Sequence, residues 1–286
     1  MMLLTKTRLA GAAGGIVRWA ILGAVSALVL VPLAFMLGAS FMPALDIMEI
    51  PYRWIPGEWK AANYLRALAG NDGAWMYLRN ILNSVIVSST IALTTVVLSS
   101  LVGYGLAKFR FRGRNAVFMA IMGTMMIPFE TVMIPLYLIV VKAGLQNTYA
   151  GLILPFLMNA FGVFIMRQYL ITFPDEMLDA ARIDGCSEPR IFWDIVFRNS
   201  GPAAATLAVL SFRQQWDNLL WPLLVAQEEK MKTIPAYIVK FAAEKHADEG
   251  AMMAVAVIAS LPVFVLFFTL SKYFLGGSAV YQAGKE

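Results

Sequence analysis

The sequence predicts an all-α, multi-pass membrane protein, and three observations carry that prediction. Of 286 residues, 59% are hydrophobic and only 14% charged, where soluble domains carry about 25% charge. Four stretches longer than a bilayer requires contain no charge at all. A single cysteine, Cys186, and a single histidine, His246, exclude a disulfide framework and a His-built zinc site, and they argue against Ser-His-Asp chemistry.

Charge-free runs locate the spans, because a charge at the bilayer centre costs about 2.5–3.5 kcal/mol. Arg18 and Asp46 enclose 27 uncharged residues, Arg79 and Lys108 enclose 28, Lys142 and Arg167 enclose 24, and Glu249 and Lys272 enclose 22. Each run exceeds the roughly 20 residues of a spanning helix. Two further apolar regions are interrupted. Residues 115–141 hold Glu130 between Pro128 and Pro135, and residues 201–227 hold Arg213 and Asp217. Both read as spans whose polar groups face protein or a cavity rather than lipid. The six predicted spans are 19–41, 79–106, 116–141, 148–171, 202–226 and 250–274. The first is too long for a signal-peptide core and reads as a signal-anchor.

The loops set the orientation. Lys6, Arg8 and Arg18 precede the first span without an acid, and Lys108, Arg110, Arg112 and Arg114 lie between the second and third, again without one. The 42–79 and 227–249 segments are balanced or slightly acidic. Positive charge marks the cytoplasmic side, so both termini and the 108–114 loop are expected there. External segment 42–78, with Trp54 and Trp59, could meet a solute-binding protein. His246 and its charged neighbours read as a solvated external loop.

Residues 167–198 break the pattern. They are cytoplasmic by position but carry four arginines against six acids. Thr172 and Pro174 can open a helix that Gly185 stops; Ser187 and Pro189 can open a second, running to about Phe197. The two short amphipathic helices are net acidic, so anionic lipid would repel them, and a protein partner is the better reading.

Within the spans, Arg213-Gln214-Gln215-Trp216-Asp217-Asn218 is the densest polar run. Arg213 and Asp217, four apart, suit a structural ion pair. Gln214, Gln215, Trp216 and Asn218 are candidates for lining a pathway, since amides and aromatic faces suit sugars; ordinary interhelical bonding fits them equally. Glu130, beside a proline break, is a further pathway candidate.

Asp179-Ala180-Ala181, Asp184-Gly185, Phe192, Ile195 and Pro202 resemble the EAA coupling motif of bacterial ATP-binding-cassette (ABC) importer permeases. Within that group the chain is similar to the MalG-like carbohydrate permeases. Supporting likenesses are the run from Leu78 to Ser84, Pro128 to Tyr137, Trp216 to Leu223, and Gly276-Gly277. Two positions depart from the family pattern: the leading Glu is Asp179, and the usual Leu-Pro before the fifth span is Phe197-Arg198.

The resemblance implies a type I ABC importer fold of six transmembrane helices with a cytoplasmic coupling helix. It divides the chain into 1–75 (N-terminus, first span and external loop), 76–275 (transmembrane domain, with coupling segment 172–200) and a 276–286 tail. It implies an inner-membrane permease subunit for a mono-, di- or oligosaccharide, itself no enzyme and binding no cofactor. ATP and Mg would be held by two separate ATPase subunits docked on Asp179, Ala180, Ala181, Asp184, Gly185, Phe192 and Ile195. A second, homologous permease subunit and an extracytoplasmic binding protein would complete the assembly. No Gly-x-x-x-x-Gly-Lys-Ser/Thr phosphate loop is present; the one Gly-Lys, at 284–285, is followed by Glu286. The alternatives are an ABC permease for a phosphorylated polyol or amino acid, a polytopic membrane enzyme, and a secondary transporter. A nucleic-acid partner has no support in the pattern.

Overall fold

The computed structural model describes the backbone of all residues except 1, 52, 71–72, 244–247 and 277–286, and side chains outside 2–14, 16 and 273–276. His246 and Gly277 lie outside the described residues. Among these residues the regular structure is entirely helical. The chain forms two compact units, Met1–Ala74 with Phe241–Ile258, and Trp75–Lys240 with Ala259–Glu286.

In the first unit, helix α1 (Met2–Ala39) is followed by short helices α2 (Ala44–Met48) and α3 (Ala62–Ala69). Polar side chains tie these pieces to one another. Asn63, buried on α3, donates to the carbonyls of Ser40 (3.0 Å) and Met42 (2.8 Å), and Arg66 pairs with Asp248 at 2.8 Å. Asp248 also caps α14 (Glu249–Gly276) by accepting from the Gly250 amide at 3.0 Å.

The second unit is built on α4 (Met76–Lys108). Along the middle of its buried face run Ser84, Ser88, Ile91, Thr95, Ser99 and Gly103, a stripe at helical spacing in which only Ile91 is large, flanked by Val87, Val96 and Tyr104. Small side chains let helix backbones approach closely, which is how association proceeds in lipid. Two helices use that stripe: α8 (Ala160–Ile171) and α11 (Gly201–Trp216). At the head of α4, Asn83 donates to the carbonyls of Lys230 and Lys232, both at 2.9 Å, and accepts from Tyr149 at 2.7 Å.

Among the described residues three helices are long and apolar enough to cross a membrane: Val17–Ala39, Met76–Lys108 and Glu249–Lys272. Two bent pairs bring the number to as many as five if each is one span. The expected span at 116–141 is bent at the break its prolines pointed to, the span at 148–171, expected continuous, is corrected to a bent pair, and the span at 202–226, also expected continuous, is interrupted between Trp216 and Leu220. Helices α5 (Arg114–Thr124) and α6 (Phe129–Lys142) meet at 90° across Pro128, where proline ends the hydrogen-bond ladder. In the next region α7 (Tyr149–Ile153) and a 3-10 turn stop before Asn159, whose side chain accepts from the Gly162 amide at 2.6 Å and restarts the chain as α8, bent by 46°. Thr95 of α4 donates to the Phe156 and Leu157 carbonyls at this break, supplying partners that lipid cannot. The third region ends α11 at Trp216 and resumes as α12 (Leu220–Val225).

Candidate functional site

The acidic segment after α8 folds as two limbs. Helix α9 (Asp175–Ile183) begins after Pro174, with Asp175 and Glu176 in its first turn, where the helix dipole favours them. Thr172, expected to cap it, instead donates to the Tyr169 carbonyl at 2.8 Å and closes α8. Gly185 turns the chain at φ +78°, with nothing within 4 Å of a notional Cβ. A short helix α10 (Glu188–Arg190) then passes into a π-helical stretch, Ile191–Phe197. π-helical turns are rare and recur at functional sites.

Apolar side chains seat the two limbs. Leu178, Ala181, Ile191, Phe192 and Val196 are buried with Tyr104, Leu170 and Phe173 in one cluster, against which Ile195 packs. Burial of Leu178 and Phe192 at 1% and 2% exposure is worth about 1.5–3 kcal/mol for each side chain. Asp179, Ala180, Asp184 and Gly185 stay exposed, as do Met177, Ile183 and Trp193. The outer face is thus partly apolar, while the inner face is fixed.

A polar relay fastens this seat to the membrane helix. Arg182 donates through Nε to Glu188 (2.8 Å) and through Nη1 to Asp179 (2.8 Å), bridging the limbs across Gly185. Glu188 accepts from the Tyr104 hydroxyl of α4, also at 2.8 Å. Lys108, at the end of α4, donates to Asp175 and to the Phe173 carbonyl. The sequence pointed to Asp179, Ala181 and Phe192; it did not single out Arg182, Glu188, Tyr104 or Lys108, which hold them together.

These bonds fix the charge states. Donation from Arg182, then from Tyr104, holds the Glu188 carboxyl below its usual value, and Lys108 does the same for Asp175. The Glu188 and Asp179 bonds push the Arg182 guanidinium up. A carboxyl with a depressed folded-state pKa adds stability above its ordinary pKa and loses it as pH falls through the lowered value. The segment is therefore expected to loosen below about pH 4, seen as faster amide exchange across 175–190. Glu188→Gln should flatten part of that acid dependence; an unchanged profile would contradict the relay.

The pathway candidates lie at the start of α6 and around the end of α11. Glu130 is exposed on the first turn of α6. Arg213 and Asp217 pair at 3.5 Å on the exposed side of α11. Gln214 is exposed, and Gln215 accepts from Asn218 at 3.1 Å. Trp216, expected beside them, is 3% exposed, stacks on Phe212 and donates to the Ala259 carbonyl at 3.0 Å. Its indole N–H is thus used inside the fold. Trp216→Phe is expected to cost about 1–2 kcal/mol in thermal unfolding and to leave uptake per folded molecule unchanged.

Residues 95–276 match the family described as "Binding-protein-dependent transport system inner membrane component". The chain is 35% identical over 251 residues to the arabinooligosaccharides transport system permease protein AraQ of Halalkalibacterium halodurans, covering 87% of this chain and 89% of that one. It is 36% identical to the lactose transport system permease protein LacG of Rhizobium radiobacter, over 68% of this chain and 71% of the relative. It is also 33% identical to the sn-glycerol-3-phosphate transport system permease protein UgpE of Agrobacterium fabrum, over 86% and 89%. In fold it is similar to a chain of a bacterial ABC transporter involved in the import of the acidic polysaccharide alginate, with TM-score 0.79 and 23% identity, covering 91% of this chain and 96% of that one. The family match spans most of the chain, the relatives are transport permeases rather than enzymes, and the helices are those of a multi-pass membrane protein. The chain belongs to the binding-protein-dependent transport system inner membrane component family.

Proposed function

We propose that this chain is the permease subunit of an ATP-driven importer that carries a carbohydrate across the cytoplasmic membrane. The observation that carries the reading is the 175–197 segment. It is anchored to α4 through Arg182, Glu188 and Tyr104 while it presents Met177, Ala180, Ile183, Asp184 and Trp193 outward. A separate ATPase would dock on that outer face, with ATP and Mg bound there. Closure of two ATPase subunits would move the two limbs as one body, and Tyr104 would pass the movement into α4. A transition of this kind is a rigid-body switch between two packed states, biased by nucleotide.

In this reading the chain contributes six spans, counting the three broken regions as one each, with both termini cytoplasmic. Segment 1–75 would supply the first span and an external face for the binding protein, 76–275 the transmembrane domain, and 276–286 a cytoplasmic tail. A second, homologous permease would complete the pathway, to which Glu130, Gln214, Gln215 and Asn218 contribute polar groups. The sugar-transport names of the AraQ and LacG relatives favour a carbohydrate. The UgpE relative favours a second reading, a phosphorylated polyol.

Reconstitution with the partner subunits and binding protein tests both. ATP-dependent vesicle uptake of an arabino-oligosaccharide or another sugar is the expected result. Uptake of sn-glycerol 3-phosphate alone selects the second reading, and uptake of neither overturns both.

A further inference from the structure

The loop between α4 and α5 curves around an open surface groove of about 750 Å³, lined by Arg110, Phe111, Arg112, Gly113, Arg114 and Asn115. Gly113 takes φ +87°, which curls the loop and brings the three arginines to one groove. Among the described residues no carboxylate lies in ion-pair distance of these guanidiniums. Arg114 donates only to the Phe109 carbonyl, at 3.3 Å. Asp175 feels Arg110 but is bonded to Lys108. Among the described residues, Arg112 and Arg114 therefore have no carboxylate partner, and Arg110 has only the Asp175 charge beyond ion-pair distance.

The surroundings say what kind of anion belongs there. Helix α5 rises directly from Arg114 and has no buried residue; Val117 and Met119 are 46% and 66% exposed. Phe109 and Phe111, on the loop itself, are 37% and 48% exposed. Arg167 lies over the Phe118 ring at 4.0 Å, placing a further cation about one turn above Arg114. Cationic forks thus stand at the polar end of a helix that keeps an exposed apolar face, with Val117 and Met119 on it, beside the side packed on α8. Acyl chains along α5 and a phosphate among the arginines would satisfy both at once.

We infer that this groove is a binding site for the phosphate headgroup of an anionic phospholipid. The shared chemistry is a phosphate oxyanion held by planar guanidinium forks, which Arg provides and Lys does not. The lipid source is favoured over a soluble phosphate because of the exposed apolar face of α5 continuing from the site. Basic clusters at a membrane surface attract anionic lipid in any case, so the test must separate a shaped site from diffuse charge. The inference is independent of ATPase docking, since lipid retention needs no nucleotide.

The intact transporter, in nanodiscs of mixed phosphatidylglycerol and phosphatidylcholine, would be ejected into a native mass spectrometer and its retained lipids counted. The expected result is retention of phosphatidylglycerol over phosphatidylcholine by about tenfold, reduced severalfold in the double variant Arg112→Lys, Arg114→Lys. That variant keeps the loop charge, and with it the orientation signal, but loses the forks. Full preference in the variant would mean diffuse attraction and overturn the site. So would the absence of any preference in the wild type. Displacement of the lipid by millimolar inorganic phosphate would overturn the lipid assignment in favour of a soluble anion; these last two arms need no variant.

Discussion

Replacing Gly185 by valine is expected to leave the chain in the membrane, assembled with its partner subunits, and to cut ATP-driven uptake about tenfold or more. The residue sits at φ +78° with open space around a notional Cβ, so the substitution meets no neighbour and acts through the backbone alone. A left-handed conformation costs an L-residue about 1–2 kcal/mol, and more when the side chain is β-branched. That cost is too small to unfold the unit, whose limbs are anchored by Leu178 and Phe192. It is large enough to shift the angle between α9 and α10. The Arg182–Glu188 bond spans that corner, and a few kcal/mol applied to one of two packed states changes their ratio by an order of magnitude or more. Uptake in vesicles and co-purification of the ATPase are the two readouts. Gly185→Asn supplies the control, because asparagine tolerates the left-handed region; it should keep most of the uptake. Equal loss in both variants would place the effect in the side chain rather than in the turn.

What the sequence disclosed depended on whether one segment decided the outcome. Helices α1, α4 and α14 were legible because an uninterrupted apolar run longer than a bilayer has few other ways to bury its backbone bonds. The break beside Pro128 was legible from its prolines; the break at Asn159 was not, although the residue stood in plain view. A capping asparagine within an apolar run can be absorbed as a kink, and this second break is settled by Thr95, more than sixty residues away, donating to the freed carbonyls.

The same division holds in the candidate site. Asp179, Ala181, Gly185 and Phe192 could be read from local spacing. Tyr104 could not, because its bond to Glu188 crosses 84 positions and nothing around Tyr104 distinguishes it from an interfacial aromatic. Trp216 was chosen for the pathway on chemical type, and type does not say which way an indole faces.

Gly103→Leu is expected to be the most damaging single change in the second unit. A Cβ at Gly103 would lie 2.9 Å from the Met166 Cβ, 3.0 Å from the Arg167 amide nitrogen and 3.1 Å from the Met166 carbonyl carbon. Two of these neighbours are backbone atoms, so no rotamer change relieves the contact; α4 and α8 must separate. Overpacking costs about 1–3 kcal/mol where side chains can adjust, and a leucine against backbone belongs at or above the upper end. Gly105 is the internal control, two residues along the same helix with nothing within 4 Å of its notional Cβ. Gly105→Leu should therefore be nearly neutral, within about 0.5 kcal/mol. Thermal aggregation followed by size-exclusion chromatography in detergent separates the two. The difference should also reach function, because Tyr104 lies between these glycines. Pushing α4 away from α8 would draw its hydroxyl off Glu188 and loosen the coupling segment in whatever Gly103→Leu protein survives. If Gly103→Leu matches Gly105→Leu in stability, the close approach of α4 and α8 is not what holds the bundle. If it is merely unstable, with normal uptake per folded molecule, Tyr104 is not the link between α4 and the coupling segment.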